Sequence, residues 1–398
     1  MTIVRAAVAR IGVVVFGLLL AWIVAEIGVR MLYPTLPMGL QIALRDVRQS
    51  PFTEQRMAPP PLWQSDKDYL TIVRPGAENS LQAGSPTVTF AVSTYAWWGG
   101  RVGFRSMQPQ NGQVEAAAVG DSFTFCFTAA DSCWVSQLAQ KLGLSIANLG
   151  QPVTGSVSHA RIYYDYVAKP ELNLKQPKLV LWQFYGNDFN DDYGLALLNN
   201  TAKTPPIPAQ DNRPLPQGAV AVWLRENSAV YLLISTLLRG KDPGVDKFVD
   251  PYHVQQGGVD LWFGQSYIRD ACDMTQARNQ EGEALSQQAI LKTRALVEKQ
   301  GGKFIIVIIP SKEEVYRALT EPIMGKQVVD AISAPRLHLI SFCHTKDLTC
   351  FDALPALEAA ANQAQQVYFP TDPHLNVFGN QIVTEALADF ISDQKGVR

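Results

Sequence analysis

Charge is absent from Ile11 to Ala25, a run preceded by Arg5 and Arg10, and apolar residues resume beyond Glu26 from Ile27 to Val29. A helix that crosses a bilayer takes about 20 mostly apolar residues. The stretch from Ala6 to Val29 is long enough if Arg10 snorkels to one interface and Glu26 lies near the other. A cleaved signal ending at Ala25 would place Ile23 at the −3 position, where a small residue is needed. An uncleaved signal anchor over residues 1–33 is therefore the preferred reading. Arg5 and Arg10 would keep the N-terminus in the cytoplasm and send the rest of the chain outside, although Arg30 weakens that bias.

Residues 34–115 are punctuated by turn signals: Pro59-Pro60-Pro61, Pro75-Gly76 and Gly84-Ser85-Pro86. Between them lie short β-prone runs such as Thr87 to Val92. This pattern predicts a stalk and a small β-rich lead-in. From residue 116 the pattern changes to alternating buried strands and amphipathic helices. Strands are expected at Ala116–Val119, Ser145–Leu149, Leu179–Phe184 and Phe304–Ile309. A helix is expected from Trp134 through Leu138 to Leu142, stopped by Gly143, with others at Ala160–Val167, Ala284–Lys299 and Val377–Phe390. Such alternation implies an α/β fold, a parallel sheet flanked by helices in three layers. Residues 116–398 would form that domain, interrupted by an excursion at about 190–280 that includes a Pro-rich loop at 203–219 and an aromatic-rich stretch after it.

Composition narrows the classes. A chain of 398 residues with 47% hydrophobic positions can bury a large core. A formal charge of −2 offers no basic face for nucleic acid. Five cysteines exclude a disulfide-scaffold miniprotein. Cys126 and Cys133 are seven apart, as are Cys343 and Cys350. Equal short spacings suit two disulfides in an oxidising compartment, or else four unpaired small hydrophobes. The spacing fits neither a CxxC redox pair nor a zinc ribbon, and no metal is implied. Cys272 is left over.

In open parallel sheets, sites form beyond the carboxyl ends of the strands. The first predicted strand is followed by Gly120-Asp121-Ser122, the second by Gly150 and Gly155, and the third by Gly186-Asn187-Asp188. Asp372-Pro373-His374 immediately precedes the last helix. A hydroxyl, glycine N–H donors, an amide and an Asp/His pair are the parts needed to attack an ester carbonyl. Ser122 would be the nucleophile, His374 its base, and Asp372 the group that orients the imidazole. Asn187 and a glycine N–H would receive the developing oxyanion. Any one of these strings alone is more often a turn or a helix cap; their joint placement after strands carries the reading. Asp121 and Asp188 read as structural. Lys312 and Tyr316 have only a weak claim to the cleft, and Trp97-Trp98 and Trp262-Phe263 are more simply core than sugar platforms.

In this order the four blocks resemble the SGNH (GDSL-like) hydrolase superfamily, over roughly residues 100–392. Gly120-Asp121-Ser122, Asn148-Leu149-Gly150 through Gly155, Gly186-Asn187-Asp188, and Asp372-Pro373-His374 look like its successive blocks. The one-residue gap between Asp372 and His374, together with Pro310-Ser311-Lys312-Glu313, is similar to the branch that contains alginate O-acetylation proteins. Val153 stands where many relatives have Gly, so Gly150 and Gly155 are both candidates, with Gly155 preferred. The resemblance implies serine ester hydrolysis without cofactor or metal, on O-acyl groups of a cell-surface or secreted glycan. It also implies two alternatives. One is an O-acetyltransferase served by an acyl-donor membrane protein, and the other is a non-catalytic glycan-binding assembly subunit.

Overall fold

The computed structural model describes residues 2–36, 40, 44, 47–50, 52, 57, 62–85, 88–110, 112–206, 219–239 and 250–394. The triple proline at 59–61, Pro86, Thr87 and most of the Pro-rich stretch 203–219 lie outside them. The chain forms two compact units, Met1–Pro61 with Pro208–Asp246, and Leu62–Ile207 with Lys247–Arg398. This division differs from boundaries at 33/34 and 115/116. The β-rich lead-in from residue 62 onward belongs to the larger unit, and part of the 190–280 excursion belongs to the smaller one.

The smaller unit contains helix α1 (Thr2–Leu32). Among the described residues one helical stretch, Arg10–Thr35, is long and apolar enough to cross a membrane.

The larger unit opens with three antiparallel hairpins: β1 (Trp63–Asp66) with β2 (Leu70–Val73), β3 (Ser80–Ser85) with β4 (Val88–Val92), and β5 (Tyr95–Ala96) with β6 (Gly103–Phe104). Next come β7 (Ala116–Val119), the short α2 (Ser122–Phe125), α3 (Trp134–Leu142), β8 (Ile146–Asn148), α4 (Ser156–Tyr163), β9 (Leu179–Phe184) and α5 (Asp188–Leu198). α3 stops at Gly143, whose φ of 64° is the left-handed conformation that favours glycine. The smaller unit contributes α6 (Ala219–Asn227) and α7 (Ala229–Arg239). The larger resumes with the hairpin β10 (Tyr252–Gln256) and β11 (Val259–Phe263), then α8 (Ser266–Cys272), α9 (Ala277–Lys299) and β12 (Lys303–Ile308). It ends with α10 (Lys312–Val315), α11 (Arg317–Met324), α12 (Lys326–Thr345), β13 (Cys350–Asp352), α13 (Leu354–Ala361) and α14 (Val377–Asp393).

Five strands form a sheet in the order β13-β12-β9-β7-β8, and every pairing is parallel. The pleat sends alternate residues to opposite faces. Ala116, Ala118, Leu181, Ile305 and Val307 face a core completed by Trp134 and Leu138 of α3 and Val383 and Leu387 of α14. Ala117, Val119, Val180, Trp182 and Ile306 face the other core, with Ile162 of α4, Ile290 of α9 and Leu339 of α12. Burial on both faces explains why the strands read as continuous apolar runs. From β7 the sheet grows one way to β8 and the other way through β9 and β12 to β13, so the switch in strand order falls between β7 and β9. A crevice is expected there. A third cluster joins Leu62, Val73, Val88, Phe90 and Val92 of the lead-in to Phe125 and Phe127. That shared core is why the lead-in is not a separate body.

Cys126 is bonded to Cys133, and Cys343 to Cys350. Cys272 is free and buried. Short loops of this size constrain the unfolded chain by roughly 2 kcal/mol each. Thiol titration of denatured, unreduced protein should therefore find one free thiol; a count of five would remove both bridges.

Candidate active site

β7 ends at Val119, and the chain turns through Gly120 and Asp121 into α2, whose first residue is Ser122. The Asp121 carboxylate caps α2 by accepting the Phe123 N–H at 2.9 Å. Gln183 of β9 fastens the same turn, its Oε1 accepting the Asp121 N–H and the Thr124 hydroxyl, each at 3.0 Å. Gly120 is required by this closeness: a Cβ there would lie 2.3 Å from Gln183 Oε1.

His374 arrives from the loop before α14, which Asn376 caps by accepting the Gly379 N–H at 2.8 Å. Its Nε2 is 2.8 Å from Ser122 Oγ, and its Nδ1 is 2.6 Å from Asp372 Oδ1. Asp372 Oδ1 also accepts the His374 backbone N–H at 3.0 Å. One carboxylate oxygen thus receives both the main chain and the ring of the residue two positions on, an Asx turn that suits the one-residue spacing. The ring sits between Phe123 and Phe127, with centroids 4.8 and 4.0 Å away. Burial pushes the Asp372 carboxyl up, but the His374 charge and its two hydrogen bonds outweigh that and hold it below the usual carboxylate range. With Nδ1–H donating to Asp372, Nε2 is left to accept the Ser122 proton.

Of the expected oxyanion donors, Gly150 has its N–H taken by Asn148 Oδ1 at 3.0 Å. Among the described residues no acceptor engages the N–H of Gly155 or of Ser122. Gly155 begins α4, where a Cβ would lie 2.4 Å from the Asp188 carbonyl oxygen, so only glycine lets α5 approach this closely. Asn187 begins α5, and its Nδ2 donates to Asp191 Oδ2 at 3.1 Å and to the Tyr267 hydroxyl at 3.3 Å. The structure joins Ser122, His374 and Asp372 by hydrogen bonds; it does not join Asn187 to them.

Beneath these donors lies a shell of buried carboxyls. Burial pushes Asp121 up to about 6, Asp191 up to about 7 and Asp192 up to about 8. Asp188 is raised well above its ordinary value by burial and then by Asp121, Asp192 and Asp191, and neither of its carboxyl oxygens has a partner. An unfolded Asp loses its proton near pH ~3.9. The folded state therefore binds more protons than the unfolded state from about pH 4 to about 8, and stability falls as pH rises through that window. Asp188→Asn keeps the shape and removes the charge. It should raise Tm at pH 8, by about 2–4 °C for each kcal/mol gained, and leave Tm nearly unchanged at pH 4. A lower Tm than wild type at pH 8 would contradict this.

Two supporting residues brace the site: Arg105, which carried no signal in the sequence, and Lys312, which was read there as a weak candidate for the cleft. Arg105 is buried, and its Nη1 donates to the carbonyls of Phe125, Cys126 and Thr128 at 2.9, 2.8 and 3.0 Å. It fixes the segment that follows α2 and bears Phe127; burial lowers its pKa to about 10. Lys312 is also buried, and donates to the Asp372 and Pro370 carbonyls at 3.4 Å each beside Asp250 at 3.5 Å. It braces the loop behind His374 and does not line a cleft. Tyr316 is buried too, with its hydroxyl 2.9 Å from the Gln365 carbonyl. Trp97 and Phe263 are core residues.

Residues 258–398 match the family described as the SGNH hydrolase-like domain of the acetyltransferase AlgX. Over that segment the chain is similar to the SGNH hydrolase-like domain of AlgX. The matched segment includes Asp372 and His374 and leaves out Ser122. No curated protein matches the chain. Similar solved structures include a lipolytic G-D-S-L family member from Veillonella parvula, 11% identical, with a TM-score of 0.37 and coverage of 70% of this chain and 98% of that one. Another is a catalytic mutant of the acetylxylan esterase Axe2 from Geobacillus stearothermophilus, 13% identical, with a TM-score of 0.37 and coverage of 69% and 93%. A third is Est24, a carbohydrate acetylesterase from Sinorhizobium meliloti, 10% identical, with a TM-score of 0.34 and coverage of 71% and 99%.

Proposed function

We propose that this SGNH protein is a membrane-anchored, extracytoplasmic serine ester hydrolase acting on O-acyl groups of a cell-surface or secreted glycan. The observation that carries the chemistry is the relay from Asp372 through His374 to Ser122, with contacts of 2.6 and 2.8 Å. His374 Nε2 takes the Ser122 proton as Oγ attacks the ester carbonyl, and Asp372 stabilises the imidazolium that forms. The oxyanion is received by the Ser122 and Gly155 N–H groups, with Asn187 joining them once substrate draws its amide from Asp191. Collapse of the tetrahedral adduct breaks the ester C–O bond, and His374 hands its proton to the departing sugar hydroxyl. Water then attacks acyl-Ser122 with His374 again as base, releasing the acid and free serine. The chain supplies every group these steps need without a cofactor.

The acyl chemistry is supported by the family match, whose description names an acetyltransferase. The same match favours a second reading, transfer of the acyl group to a sugar hydroxyl, with a membrane protein as acyl donor. The apolar helix Arg10–Thr35 and the two disulfides support an anchored, extracytoplasmic protein.

Hydrolase and transferase share acyl-Ser122 and differ in what attacks it. Water stands at about 55 M, so a transferase must position its acceptor well enough to win, and effective molarities of about 10⁵ M or more allow that. Product analysis with an acyl ester and a millimolar oligosaccharide decides. Free acid is the expected main product; Ser122-dependent acylated oligosaccharide as the main product would make the protein a transferase.

A further inference from the structure

Among the described residues where α1 meets α6 and α7, Glu26 and Arg30 turn inward and large apolar side chains face outward. Arg30 pairs with Glu26 one turn earlier in α1 at 2.6 Å. The Arg30 guanidinium also donates to the carbonyls of Arg48, Gln49 and Asn227. Glu26 caps the start of α7 by accepting the Ala229 and Val230 N–H groups at 2.7 and 3.0 Å and the Ser228 hydroxyl at 2.8 Å. Arg225 and Glu226 of α6 are only half-exposed, and Glu226 lies 3.6 Å from Arg48. The large apolar side chains exposed on the described part of the helix pair are Val220 at 72%, Trp223 at 53% and Ile234 at 42%. A helix pair bathed in water shows the opposite polarity.

The depth of this arrangement follows from α1. A hydrocarbon core about 30 Å thick takes about 20 helical residues. A span that begins at Arg10 therefore leaves the core near Arg30, and the bonds made by Glu26 and Arg30 fix the α6–α7 junction at that level. Trp223, exposed on α6 at that level, is the residue type that collects at such interfaces. The exposed Met31 and Leu32 continue the apolar surface beyond the junction.

We propose that α6 and α7 form a collar lying in the interfacial layer of the bilayer that α1 crosses, with Val220, Trp223 and Ile234 in contact with acyl chains. The occupant of this surface is lipid because the collar is held at the mouth of the span and its exposed face carries no charged group among these residues. The proposal rests on α1 being a membrane span.

The test places single nitroxide labels on the full-length protein in nanodiscs of 3:1 phosphatidylethanolamine and phosphatidylglycerol. Val220→Cys and Trp223→Cys report the collar, Leu18→Cys the span, and Gln363→Cys an exposed site on the larger unit. Relative accessibility to oxygen over a water-soluble nickel chelate should shift at 220 and 223 toward the value at 18 and away from that at 363. Values at 220 and 223 equal to that at 363, with 18 in lipid, would overturn the collar alone. Labels at 220 and 223 shielded from both reagents would overturn it in favour of a protein partner. An aqueous value at 18 would remove the span and the collar together.

Discussion

Ser122→Ala should abolish turnover of an acyl ester while the protein stays folded. Ser122 begins a four-residue helix whose hold on the fold comes from other groups: the Asp121 cap, Gln183, and the buried Phe123 and Phe125. Its own hydroxyl contacts only His374 and, at 3.4 Å, Asp121. Removing one oxygen deletes the nucleophile and barely alters packing. Without it, only binding and oxyanion donors remain, so a loss of roughly 10³-fold or more in kcat is expected. Initial rates on a short acyl ester, with circular dichroism and Tm as folding controls, provide the check. Wild-type turnover by folded Ser122→Ala protein would sink the acyl-serine mechanism.

Asp372→Asn should be nearly as damaging, by roughly 10³- to 10⁴-fold, with little change in KM. An Asn amide facing Nδ1 donates where the carboxylate accepted. The ring would then carry its proton on Nε2, pointing at Ser122, and could not take another. The native carboxylate lies below its ordinary pKa, so it stays ionised through mild acid. Its contribution to stability is present above the unfolded value of about 3.9 and is lost as pH falls through the lower folded value. Loss of wild-type activity between pH 7 and pH 5 should therefore not coincide with protonation of Asp372. A variant within tenfold of wild type across pH 5–8 would mean that Asp372 does not orient His374.

The strands and the blocks at their ends were legible because their signals are local. Leu179–Phe184 appears at the expected bounds, since five of its six residues are apolar and leave little choice of period. Val377–Asp393 begins where Asn376 caps it. By contrast α12, a 20-residue helix, was hidden by Pro335 in its middle, and the eight-residue α11 by Pro322. The edge strand β13 has only three residues, too few for any pattern. Arg105, and the bracing role of Lys312, were illegible for another reason. Each acts by donating to main-chain carbonyls of distant segments, and carbonyls leave no mark on residue type. That part of the 190–280 excursion joins the N-terminal segment in one unit was not legible, because the polar contacts between them join residues about 200 positions apart, as between Arg30 and Asn227.

Arg105 has a bearing on how such a protein can change over generations. The segment that bears the wall of the His374 pocket hangs from a side chain contributed by the lead-in, and the same lead-in shares a core with Phe125 and Phe127. A recombination that replaced everything upstream of β7 with an unrelated anchor would arrive with the reactive triad complete and Arg105 and the shared core gone. Lead-in and sheet are therefore heritable only as a pair.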